Sequence, residues 1–102
     1  MTVTSSKTGD RVEIRVSGRF DYNIQQEFRA AYEPHDPRAE FIVDLSGVDY
    51  MDSAALGMLL VLREYAGGAQ GRVALTHCAP QVVELLEMAN YQMLFPINSV
   101  RA

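Results

Sequence analysis

Only one cysteine, Cys78, occurs in the 102 residues, so no internal disulfide can form, and THCAP sets no second thiol beside it for redox or zinc chemistry. It reads as a small apolar filler ahead of Pro80. Histidine is nearly as scarce. His35 lies in a proline-rich turn and His77 at the end of an apolar run, neither with an i, i+4 partner or a carboxylate at ligand spacing, so no metal and no cofactor is expected. No apolar run approaches the roughly 18 residues of a membrane span, and MTVTSSKTGD lacks the basic-then-apolar pattern of a signal segment. A cytoplasmic protein without direct membrane insertion is expected. The 9 basic residues are outnumbered by 13 acidic ones and scattered, so there is no basic stripe to neutralise phosphates, and nucleic acid is not an expected partner. Catalytic constellations are missing as well. No carboxylate pair or Ser-His arrangement can be assembled, and GGAQG lacks both the Lys and the following helix of a phosphate-cradling loop. The chain does not read as an enzyme.

What remains is an ordinary globular balance, 48% hydrophobic and 22% charged, enough for one domain over residues 1–102 with one core. In RVEIRVS the alternation of Val12, Ile14 and Val16 with Glu13 and Arg15 is that of a half-covered strand, ended by Gly18. In DYNIQQEFRAAYE, Ile24, Phe28 and Tyr32 recur four apart beside Ala31, giving an amphipathic helix over 22–33 with Asp21 placed to cap it. PHDPR breaks that helix. EFIVDL is a continuous apolar run rich in β-branched residues, the composition of a central strand covered on both faces. A helix over 54–66, the loop GGAQG, a strand RVALTH, a helix over 81–90 opened by proline, and a last edge strand QMLFPI complete the pattern. Strands separated by helices predict an α/β domain with a mixed sheet of four or five strands.

The helix after Ser53 is asymmetric. At about 100° per residue, Ala55, Met58, Leu59, Leu62, Tyr65 and Ala66 share one broad face, and Gly57, Arg63 and Glu64 mark the opposite arc. Leu56 and Leu60 then fall on the polar arc. They either face water as part of a docking surface or are covered by a neighbouring loop.

The order GRFD, then FIVDLSGVDYMDSAALGMLL, a Gly-rich loop, an apolar strand and a VVELLEMANY helix resembles a STAS domain, from about Val12 to about Ser99. That family includes anti-sigma factor antagonists and the cytoplasmic tails of sulfate transporters. The resemblance implies a sheet backed by helices and a regulatory protein that switches partners. In that scheme a GHKL-type serine kinase, itself the anti-sigma factor, phosphorylates the antagonist. A metal-dependent serine phosphatase reverses the modification, and the unmodified antagonist frees the sigma factor by binding the kinase. The alternative implied by the same family is a structural subunit of a lipid or sulfate transport assembly, packed against an ATP-binding protein.

The resemblance at the loop and the asymmetry of the following helix together mark Asp21, Asp52, Ser53, Ala54, Leu56, Gly57, Leu60, Arg63 and Glu64 as partner-binding candidates. Phosphorylated members read D-S-S or D-S-T at this loop, with the second hydroxyl as acceptor. This chain reads Asp52, Ser53, Ala54, so Ala54 stands at the acceptor position. Either the protein is a permanently unmodified binder, or Ser53 is the phosphoacceptor in a shifted register. Ser53 also suits a helix N-cap, and Asp49 and Asp52 would repel a phosphate beside them.

Overall fold

In the strand β2 (Arg11–Phe20), Val12, Ile14 and Val16 are fully buried while Arg15 is exposed. This is the alternation expected of a sheet with one face in the core. The computed structural model describes residues 2–98. Residues 1 and 99–102 lie outside the described residues, among them Ser99, where the family resemblance is expected to end. β2 is joined by β1 (Val3–Thr8), β3 (Glu40–Met51) and β4 (Arg72–Thr76) in the order β1-β2-β3-β4. β1 runs antiparallel to β2, and β2, β3 and β4 are parallel, so the sheet is mixed and four-stranded.

Phe41 through Leu45 are all buried, and β3 lies between β2 and β4, the interior place their composition predicts. β3 continues past the apolar run to Met51, with Val48 buried and Asp49 and Tyr50 exposed. Its extension pairs with the end of β2, which passes through Gly18 rather than stopping there. Gly18 takes φ +79° beside a register shift, and the strand resumes to Phe20. Glycine at a bulge supplies the left-handed backbone that other residues resist.

The connecting helices are α1 (Gln25–Tyr32), α2 (Ser53–Tyr65) and α3 (Pro80–Met88). α1 is preceded by a 3-10 turn at Tyr22–Ile24, whose end is capped by Asp21: its Oδ1 accepts the Asn23 N–H at 3.0 Å. Ile24, Phe28, Ala31 and Tyr32 bury one face. From α2, Ala55, Met58, Leu59, Leu62 and Ala66 enter the same core, and from α3, Val82 and Leu86. Each fully buried leucine among them contributes about 1.5–3 kcal/mol. Tyr65 is half-buried, and its hydroxyl donates to the carbonyls of Glu33 and His35, tying α2 to the turn after α1. Among the described residues no helix is long and apolar enough to cross a membrane.

Two elements differ from the sequence reading. β1 was not foreseen, because only Val3 of its six residues is buried. QMLFPI is not an edge strand. Tyr91–Met93 form a 3-10 turn in which Tyr91 and Phe95, four apart, are buried and the residues between them are exposed. That is the spacing of a helical turn. Past Pro96, among the described residues, one bridge forms, Leu75 with Ile97, in which the Leu75 N–H donates to the Pro96 carbonyl and the Asn98 N–H to that of Leu75.

Candidate functional site

Asp52 has extended backbone, and its Oδ1 accepts the N–H groups of Ala54 at 3.1 Å and Ala55 at 3.2 Å. It is therefore Asp52, and not Ser53, that caps α2. The sequence offered two capping residue types in a row, and the extended conformation at position 52 selects the first. Ser53 becomes the first helical residue, exposed and released from the capping role. A carboxylate over the first N–H groups also meets the positive end of the helix dipole.

Along α2, Ser53, Gly57, Leu60 and Glu64 are exposed in a single row, with Val61 beside them. Leu60 and Val61 keep 37% and 49% of their surface in water, although the other apolar residues of the helix are buried or half-buried. Leu56 does not belong to this row. It is half-buried against the core, and the Tyr91 hydroxyl donates to its carbonyl at 2.8 Å. The segment after α3 thus reaches the backbone at Leu56, closer to the covered alternative than to the water-facing one. Arg63 is drawn to the same flank, its Nε donating to the Leu94 carbonyl at 3.4 Å. Ala54 is half-buried between flank and row. At Gly57 a Cβ would meet nothing within 4 Å, so the chain's own packing does not require glycine there.

The ends of β2 and β3 adjoin this row. Phe20 pairs with Met51, so Asp21 and Asp52 are the next residues along neighbouring strands. Asp21 is largely buried, with Oδ2 held by Arg19 Nε at 3.2 Å and Oδ1 by the cap, so little of it is left to meet a partner. Sequence reasoning missed three residues here. The Arg19 guanidinium lies 3.9 Å over the Tyr50 ring, and Tyr22 is 70% exposed. The signal for Tyr22 was its absence from the stripe formed by Ile24, Phe28 and Tyr32. Exposed aromatic and arginine side chains of this kind are enriched at protein interfaces.

A second polar cluster lies on the sheet. Asp44 is buried, its Oδ1 accepting the Ser46 N–H at 2.9 Å, with Arg15 Nε 3.4 Å and His77 Nδ1 3.6 Å from Oδ2. Burial pushes the Asp44 carboxyl up, but hydrogen bonds from Ser46 and the charges of His77 and Arg15 outweigh it and hold the group below its ordinary range. The neighbouring Cys78 thiol is raised to about 11, by burial first and by Asp44 second, which leaves it a thiol at neutral pH. Among the described residues no group of three or more His, Cys, Asp or Glu is placed to hold a metal ion.

The comparisons with known proteins bear on the fold and the family. SpoIIAA, an anti-sigma factor antagonist, in its unphosphorylated form superposes with a TM-score of 0.77 at 18% identity, over 93% of this chain and 86% of that one. An anti-sigma factor antagonist from Mycobacterium paratuberculosis does so at 0.80 and 19%, over 97% and 86%. At these identities the likeness is one of fold. A STAS-domain containing protein of Pseudomonas aeruginosa, strain UCBPP-PA14, is 42% identical over 100 residues, spanning 96% of this chain and 98% of that one. The family model described as "Mlab, STAS domain" matches residues 3–96, and the chain belongs to the STAS domain family.

Proposed function

We propose that this chain is an anti-sigma factor antagonist that binds an anti-sigma factor of the GHKL-type serine kinase class through the exposed row of α2 and the adjoining ends of β2 and β3. The observation that carries the reading is the pairing of Leu60 and Val61, exposed on an otherwise core-forming helix, with an uncrowded Gly57 one turn earlier. Small residues let a partner backbone approach, and the two apolar side chains give it a surface to desolvate. The antagonists of like fold support the same role.

Ala54 at the acceptor position removes the hydroxyl on which a kinase and a metal-dependent phosphatase would act. We infer a binder that is not toggled there, with Ser53 unmodified. A partner that never needs release suits equally the second reading, a STAS subunit packed permanently against the ATP-binding protein of a transport assembly.

The test is retention of partners by the purified chain, followed by titration. A kinase-type anti-sigma factor should be retained, its intact-mass spectrum with ATP should show no phosphate on Ser53, and Leu60→Asp should weaken binding by about 2 kcal/mol or more with an unchanged circular dichroism spectrum. Retention of a transport ATPase instead would select the second reading. A folded Leu60→Asp protein that binds as tightly as the parent would remove α2 from the interface.

A further inference from the structure

At the other end of α2, a half-open cleft of about 290 Å³ lies between the last turns of the helix, the Gly68–Gln70 turn and the start of β4. Its volume is at the lower end of the ~300–1,000 Å³ range of small-molecule sites. Val73, Ala74, Leu94 and Pro96 give it apolar walls. The loop wall is set in place by Gly71, which approaches the Ala66 carbonyl too closely to admit a Cβ.

Two guanidinium groups and one carboxylate reach the cleft, and two of the three are committed elsewhere. Arg72 Nη2 donates to the Arg38 carbonyl at 2.9 Å and to Asp10 at 3.1 Å, and Glu40 accepts from Arg11 at 3.0 Å. Arg63 differs. Its side chain is only 20% exposed, yet among the described residues its contacts are long: 3.4 Å from Nε to the Leu94 carbonyl and 3.9 Å from Nη1 to a Glu64 carboxylate that is itself 76% exposed. Among the described residues neither Nη makes a hydrogen bond, and Arg63 lines the cleft.

We propose that this cleft binds a small monoanion, one carboxylate on a short apolar body. The carboxylate sits on the Arg63 fork and the body on the four apolar walls. A planar guanidinium matches a carboxylate through two parallel hydrogen bonds. Glu40 lines the cleft and Glu64, outside it, lies 3.9 Å from Arg63 Nη1; both oppose a second negative charge, which disfavours phosphate. The readout needs no protein partner, so it can fail or succeed independently of the proposed interface, with which the cleft shares the end of α2.

The experiment is a titration of the isotope-labelled chain with hexanoate, with hexanamide and inorganic phosphate as controls, read as amide chemical shifts. Hexanoate should give saturable shifts at Gly68, Ala69, Val73 and Ala74, with a dissociation constant of about 1 mM, while both controls leave these amides unmoved. Arg63→Gln should weaken binding about tenfold or more. Ala69→Glu, at an exposed rim position that the core does not use, should weaken it several-fold and decides the matter if Arg63→Gln fails to fold. The proposal is overturned by hexanoate shifts that fail to saturate up to about 10 mM or map elsewhere. Equal binding of hexanamide or phosphate overturns it too, as does affinity unchanged in the folded variants.

Discussion

Glycine in a helix interior costs about 0.5–1 kcal/mol relative to alanine, and at Gly57 the fold gives nothing in return, since a Cβ there would meet open space. The cost makes sense if the space is used by another molecule. Gly57→Ala should therefore raise stability to urea by about 0.5–1 kcal/mol while reducing affinity for the proposed anti-sigma factor partner. A loss of stability would show that the chain itself needs that glycine. Ser53 and Ala54 complete the same small-residue edge. One is an exposed hydroxyl beside a capping carboxylate, the other a methyl at the matched acceptor position.

At the scale of the element, the start of α2 depends on a single carboxylate. Asp52→Ala removes the acceptor for two N–H groups and should cost about 1 kcal/mol in thermal denaturation, whereas Ser53→Ala should change little. The reverse order would return the cap to Ser53. Sequence periodicity was a good guide where an element places one face in the common core, in β2, α1 and α2, while the first half of β3 was legible as a continuous apolar run and α3 by its opening proline. β1 carries none, because an edge strand with one buried residue leaves no alternation to read. Its local signal was the Gly9–Asp10 pair between Thr8 and Arg11, with Gly9 at φ +63°, a two-residue hairpin turn. The candidate row was legible at Leu60, whose exposure follows from the helix alone. Leu56 was left open between water and cover, since the contact made at its carbonyl comes from Tyr91, 35 residues away. Arg19 and Tyr50 became neighbours only through a bulged strand register.

For the molecule as a whole, Asp44 links the sheet to pH. Its folded carboxyl is held below the ordinary 3.8, so the ionised form favours the folded state. The resulting stability is fully present above 3.8 and is lost as pH falls from there through the folded value. Urea denaturation across that acid window should show a steeper loss for the parent than for Asp44→Asn. Parallel curves would place the acid sensitivity elsewhere. Asp36, lowered by Arg38, titrates in both proteins and cancels in the comparison. The mixed sheet also orders events during synthesis. Val3 to Phe20 hold both strands of the hairpin and leave the ribosome first, but the far edge of β2 has no partner until β3 is complete, 31 residues after Phe20. At ~5–20 residues per second that edge, carrying Val12, Ile14 and Val16, stands open for about 2–6 s. β1 shields the opposite edge during the wait, so a nascent chain without it would offer both sides of its most apolar early strand to other chains.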